Sequence, residues 1–159
     1  MRRGKLRAVR LDALLKEINL KVSQLAADLT AASHSMAWLT WAANHEILTK
    51  EKVESYDAEM HVILPKVLGD VVAVAALDEE LEEIADDIAR ELYQLDAELG
   101  DACILFAKDS ASARALFIAV TPRVLNFWFE TLKKLSVAAR GKLKLFMEAS
   151  AFNRSHSQH

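Results

Sequence analysis

Carboxylates dominate the chemistry this chain can offer. Eleven acidic side chains fall between Asp78 and Asp101, with Arg90 as the one cation among them. Carboxylates at helical spacing can ligate a divalent cation, exchange protons, or dock a cationic surface. The five histidines are His34, His45, His61, His156 and His159. None follows a glutamate by three residues, and no two lie four apart, so neither a di-iron bundle pair nor a helical zinc pair is spelled out. The lone cysteine, Cys103, stands in Cys-Ile-Leu-Phe and reads as a small buried hydrophobe. No glycine-rich phosphate loop, nucleophile elbow or cysteine–histidine spacing is present. The residues therefore predict no catalytic group, no metal site and no cofactor.

One acidic pattern has a counterpart elsewhere. Glu79-Glu80-Leu81-Glu82-Glu83 contains Glu-Glu-x-x-Glu, and Glu98-Leu99-Gly100-Asp101 contains Glu-x-x-Asp. The pair resembles the magnesium-binding motifs of the all-α nucleoside triphosphate pyrophosphohydrolases of the MazG type. The resemblance implies an Mg²⁺-dependent enzyme with Glu79 or Glu80, Glu83, Glu98 and Asp101 as ligands. The apolar spacing between the motifs argues the other way. Leu81, Ile84, Ile88, Leu92, Leu95 and Leu99 keep steps of three and four with no break. On one continuous helix Glu83 and Glu98 would stand about 22 Å apart, too far to share one ion.

The elements that must position these groups read as helices. Four glycines and two prolines in 159 residues are too few for a sheet protein's turns. Apolar residues make up 52%, enough to build a core without a disulfide. The pattern predicts a single-domain all-α bundle of about six to eight helices, with a basic arm over 1–10, a bundle over 11–152 and a frayed polar tail over 153–159. Leu11, Leu14, Leu15, Ile18, Val22, Leu25 and Leu29 place a first helix over 9–32. Ser33-His34-Ser35 predicts a break, and Thr49 a cap. Pro65 predicts a kink or break near 62–65. The segment 66–77, apolar on nearly every side, predicts a central position. Asp78 is an N-cap, Gly100 a C-terminal stop, Asp109 or Ser110 a further cap, and Thr121-Pro122 the start of another helix.

Charge is segregated along the chain. Residues 78–101 sum to −10, residues 102–159 to +6 and the first ten to +5, within a net charge of −3. The expected function is a non-enzymatic interaction or regulatory module of adaptor or inhibitor type. Its acidic docking residues are Glu79, Glu82, Glu83, Asp86, Asp87 and Glu91. Its basic ones are Arg2, Arg3, Lys5 and Arg7 on the arm, and Lys133, Lys134, Arg140, Lys142 and Lys144 late in the chain. A protein partner is expected. The surplus of aromatics at Trp38, Trp41, Phe127, Trp128 and Phe129 makes a second copy a further candidate. The basic clusters offer an alternative reading as a nucleic-acid binder. No apolar window reaches the length of a membrane span, and Asp12, Lys16 and Glu17 interrupt any leader-like stretch. A cytoplasmic location is the corresponding expectation.

Overall fold

Four apolar stripes, one per helix, close on a shared core. A computed structural model describes the backbone of residues 2–156. The side chains of Arg2, Leu143, Phe146, Ala149, Ser150, Phe152, Asn153, Arg154 and His156, and all of residues 1 and 157–159, lie outside the described residues. The helices are α1 (Arg2–Asn44), α2 (Lys50–Ala75), α3 (Glu79–Phe106) and α4 (Ser110–His156). Each packs against the two helices next to it in a ring, α1 on α2, α2 on α3, α3 on α4 and α4 on α1. The three connections are short, so neighbours run antiparallel. Leu25, Leu29 and Met36 of α1, Val67 and Val74 of α2, Leu81, Leu92, Leu95 and Leu99 of α3, and Phe117, Phe127 and Leu135 of α4 are fully enclosed.

The expected caps at Thr49 and Asp78 are present. Thr49 accepts from the Lys52 amide through its hydroxyl, and Asp78 accepts from the Leu81 amide. Asp109 caps α4 by accepting from the amide and hydroxyl of Ser112. The α1 terminus closes in a Schellman motif: Glu46 takes the left-handed conformation at φ 59, its amide donates to Ala43, and the Ile47 amide donates to Ala42.

Among the described residues four helices stand where six to eight are expected, because four expected breaks are bridged. At Ser33-His34-Ser35, the core positions Leu29, Ala32, Met36 and Leu39 run straight through. Ser35 turns its hydroxyl to Glu59 of α2 at 2.7 Å instead of capping. Pro65 lies inside α2 on its exposed side, where the carbonyl it frees can meet water. Gly100 sits within α3, which continues because Ala102, Cys103, Leu105 and Phe106 pack onto the core. Thr121 does not start a helix. Its hydroxyl donates to Phe117 at 2.7 Å and accepts from Asn44 of α1 at 2.9 Å, so Pro122 is carried inside α4.

The segment 66–77 is not central. Val67, Val71 and Val74 face the core, whereas Leu68 and Val72 face solvent. Its apolar surround reflects an outer face on which Lys66 is the one exposed charge, not enclosure. Residues 2–10 are the first turns of α1 and so continuous with the bundle helix, and residues 153–156 continue α4. Pro65→Ala restores one ladder hydrogen bond and should raise stability by about 1–2 kcal/mol, net of the looser unfolded chain, in chemical denaturation.

Candidate interaction surfaces

The leucine seam of α3 dictates where its carboxylates go. With Leu81, Ala85, Ile88, Leu92, Leu95 and Leu99 buried, the intervening Glu79, Glu82, Glu83, Asp86, Asp87 and Glu91 are all exposed. The helix is continuous through both acidic motifs. Glu79, Glu80 and Glu83 are therefore not brought together with Glu98 and Asp101; Glu83 and Glu98 are separated by about 22 Å of helix. Among the described residues no three His, Cys, Asp or Glu side chains are placed to hold a metal ion.

Part of the acidic face is answered from within the chain. Lys142 of α4 reaches Asp78 at 3.2 Å and Glu80 at 3.0 Å. Its ammonium is held above the usual lysine range, chiefly by the hydrogen bond to Glu80. Arg90 pairs with Asp87 on the same helix, and Arg123 of α4 with Glu98. The first of these is well exposed and worth at most about 1 kcal/mol. Glu79, Glu82, Glu83, Asp86 and Glu91 keep their charge toward solvent.

The basic residues gather at one end. Lys142 stands beside the α2–α3 turn, so the rest of α4 runs roughly 20 Å past that turn. α1 is antiparallel to α4, and its first turns lie at this end. Arg3, Lys5, Arg7 and Arg10 of α1 and Arg140 and Lys144 of α4 are exposed there; the side chain of Arg2 lies outside the described residues. Lys133 and Lys134 are exposed further up α4, away from the tip. The projection also shows apolar side chains: Leu6, Val9, Leu145 and Met147 are each more than half exposed.

A third surface extends the aromatic surplus at Trp38 and Trp41 into a continuous ridge. On the outer side of α1, Leu20, Gln24, Ala27, Ala31, His34, Trp38, Trp41 and His45 alternate steps of four and three, and all but Gln24, Ala27 and Ala31 are large. Every one is exposed. Trp38 is 44% exposed and Trp41 49%. Their rings meet edge-on at 5.3 Å, Trp41 lies 4.4 Å from His45, and the Lys52 ammonium sits 5.4 Å from the Trp38 centroid. Across to α4, His34 meets Trp128 edge-on, and Trp128 stacks on Phe129. Of the aromatic triplet, Phe127 is core, Trp128 half-buried and Phe129 70% exposed. A groove of about 800 Å³ between α1 and α2 flanks the ridge, lined by Ala27, Ala31, His34, Ala58 and Val62 among others. The sequence does hold this signal, as a second heptad series offset from the core stripe, with only Lys21 and Asp28 charged between Asn19 and His45.

One carboxylate pair is brought together, Asp28 of α1 and Asp70 of α2. Burial, then the hydrogen bond and charge of Asp28, push the Asp70 carboxyl up to about 7, against the pull of Lys21 and Lys66. One Asp70 oxygen is enclosed and meets no donor. Across the core, Tyr56 donates its buried hydroxyl to Asp96 at 2.8 Å, and burial pushes the phenol upward.

No protein-family model, curated protein or solved structure matches this chain. No helix among the described residues is long and apolar enough to cross a membrane.

The Asp28–Asp70 pair has a definite pH signature. The folded state holds the Asp70 proton to about 7, while the unfolded chain releases it near 4. The folded state therefore binds more protons between these values, and this contribution to stability falls as pH rises through that window. Asp70→Asn removes it. The stability of the variant minus that of the parent should grow from pH 4 to pH 7 in denaturant titrations and then level off.

Proposed function

We propose that this protein is a non-enzymatic helical interaction module, docking a macromolecular partner through the acidic face of α3 and the basic projection of α1 and α4. The observation that carries it is the row of five exposed carboxylates, Glu79, Glu82, Glu83, Asp86 and Glu91, that meet no cation among the described residues, beside the Asp87–Arg90 pair. Like charges four apart on a helix cost a few tenths of a kcal/mol each. A cationic partner relieves that repulsion on binding, and long-range attraction speeds the encounter.

The basic projection suits an anionic surface in the same way. Arg3, Lys5, Arg7, Arg140 and Lys144 stand at one end of the molecule. Adaptor or inhibitor action follows if one end is held by an anionic partner while α3 engages a cationic one. An Mg²⁺-dependent pyrophosphohydrolase finds less support, because α3 keeps Glu79, Glu80 and Glu83 apart from Glu98 and Asp101 along one rod.

Affinity capture at low and high salt tests the reading. The Glu83→Lys, Asp87→Lys, Glu91→Lys triple variant should lose at least ten-fold in affinity for the captured partner, and the remaining binding should depend less on salt. Unchanged capture would reduce the face to a solvated surface. Separately, Arg3→Glu, Lys5→Glu, Arg7→Glu should abolish any retardation of duplex DNA or RNA seen at low salt, since such binding weakens steeply as the cations that neutralise phosphates are removed.

A further inference from the structure

The outer ridge of α1 has an order of side-chain sizes that complements its own reverse. After Leu20 its series runs from small to large: His34, Trp38, Trp41 and His45 follow Gln24, Ala27 and Ala31. Reversing the series about its midpoint, between residues 32 and 33, sets Trp38 against Ala27, Trp41 against Gln24, His34 against Ala31, and His45 against Leu20. A parallel pairing would instead set tryptophan on tryptophan and alanine on alanine, leaving voids that cost packing energy.

The neighbouring helix obeys the same symmetry. On α2, Ser55, Ala58, Val62, Pro65, Gly69 and Val72 form a second exposed seven-residue series. The Ser35–Glu59 hydrogen bond and the Asp28–Asp70 pair fix the level of α2 beside α1. They place the midpoint of this series, near residue 63, level with that of α1. Reversal about the same axis sets Ser55 against Val72, Ala58 against Gly69 and Val62 against Pro65. Neither series contains an Asp, Glu, Lys or Arg; Glu59, which lines the groove between them, accepts a hydrogen bond from Ser35 across it.

We infer that two copies of this chain associate through the α1/α2 face, antiparallel about a two-fold axis at the level of Ala31 and His34. A two-fold interface presents the same patch twice, so a charged patch would repel its copy. The α3 face cannot self-mate for that reason, and the α1/α2 face can. Its size is adequate. Two adjacent helix faces, about 37 Å and about 26 Å long and about 10 Å wide, give roughly 600 Å² per copy, at the lower end of the ~600–1,000 Å² per partner of stable interfaces of standard size. Trp38 and Trp41, the large rings left half in solvent, are the residue type that most often carries binding energy at such a centre.

Sedimentation of the full chain over a concentration series tests the inference, with cross-linking to read the register. The parent should be a dimer. Ala31→Glu, a good helix former at an exposed site, should weaken dimerisation at least 100-fold with helicity unchanged, and Trp38→Ala should do so more mildly. In a Cys103→Ser background, Leu20→Cys/His45→Cys should form a covalent dimer with a short bis-maleimide, and neither single variant should. A monomeric parent, a dimer indifferent to both Ala31→Glu and Trp38→Ala, or cross-linking by Leu20→Cys alone would overturn the inference. So would a monomer whose face binds anionic vesicles and loses them on Trp38→Ala. The α3 triple reversal should leave the dimer intact, which keeps the two readings separable.

Discussion

The structure depends on the continuity of α3. Its apolar face, from Leu81 to Ala102, is buried along its whole length between α2 and α4. A helix that buries one face so completely has no freedom to turn its other residues inward, since an unpaired carboxylate in the core would cost several kcal/mol. The acidic character of the surface therefore follows from the packing of the leucines. The spread of charge along the rod also separates the two carboxylate motifs that resemble a metal centre.

Length mismatch between helices generates the second feature. α1 and α4, of 43 and 47 residues, outrun α2 and α3, of 26 and 28. The excess is placed at one end, because Arg114 of α4 pairs with Glu46 and donates to the Asn44 carbonyl at the other, near the α1 terminus. The projection thus carries charge and exposed apolar residues away from the core. At its root Lys142 ties it to the acidic helix through Asp78 and Glu80.

The helical class, the core faces of α1 and α3, and the caps at Thr49, Asp78 and Asp109 were legible in the sequence. Each rests on a local pattern: periodic leucines, or a side-chain oxygen three residues before the amide it receives. The helix count was not legible. Ser33-His34-Ser35, Pro65, Gly100 and Thr121-Pro122 are local stop signals, and tertiary packing outweighed each of them. Thr121 shows how: its hydroxyl is spent on Phe117 and Asn44, a partner 77 residues away. The exposed acidic row was legible as soon as the leucine periodicity was. Of the ridge on α1, Trp38 and Trp41 were legible as aromatics surplus to the core, whereas its small members, Ala27 and Ala31, were not. Only their exposure separates an outer stripe from an inner one.

The carboxylates of α3 stay apart along one unbroken rod. Spin labels at Glu83→Cys and Glu98→Cys, in a Cys103→Ser background, measure this directly by dipolar distance. A single narrow separation centred near the ~22 Å of an unbroken helix, unchanged by millimolar Mg²⁺, is the predicted result. A population much shorter than that, or one that contracts when Mg²⁺ is added, would mean that α3 is no unbroken rod but folds back to gather its acids.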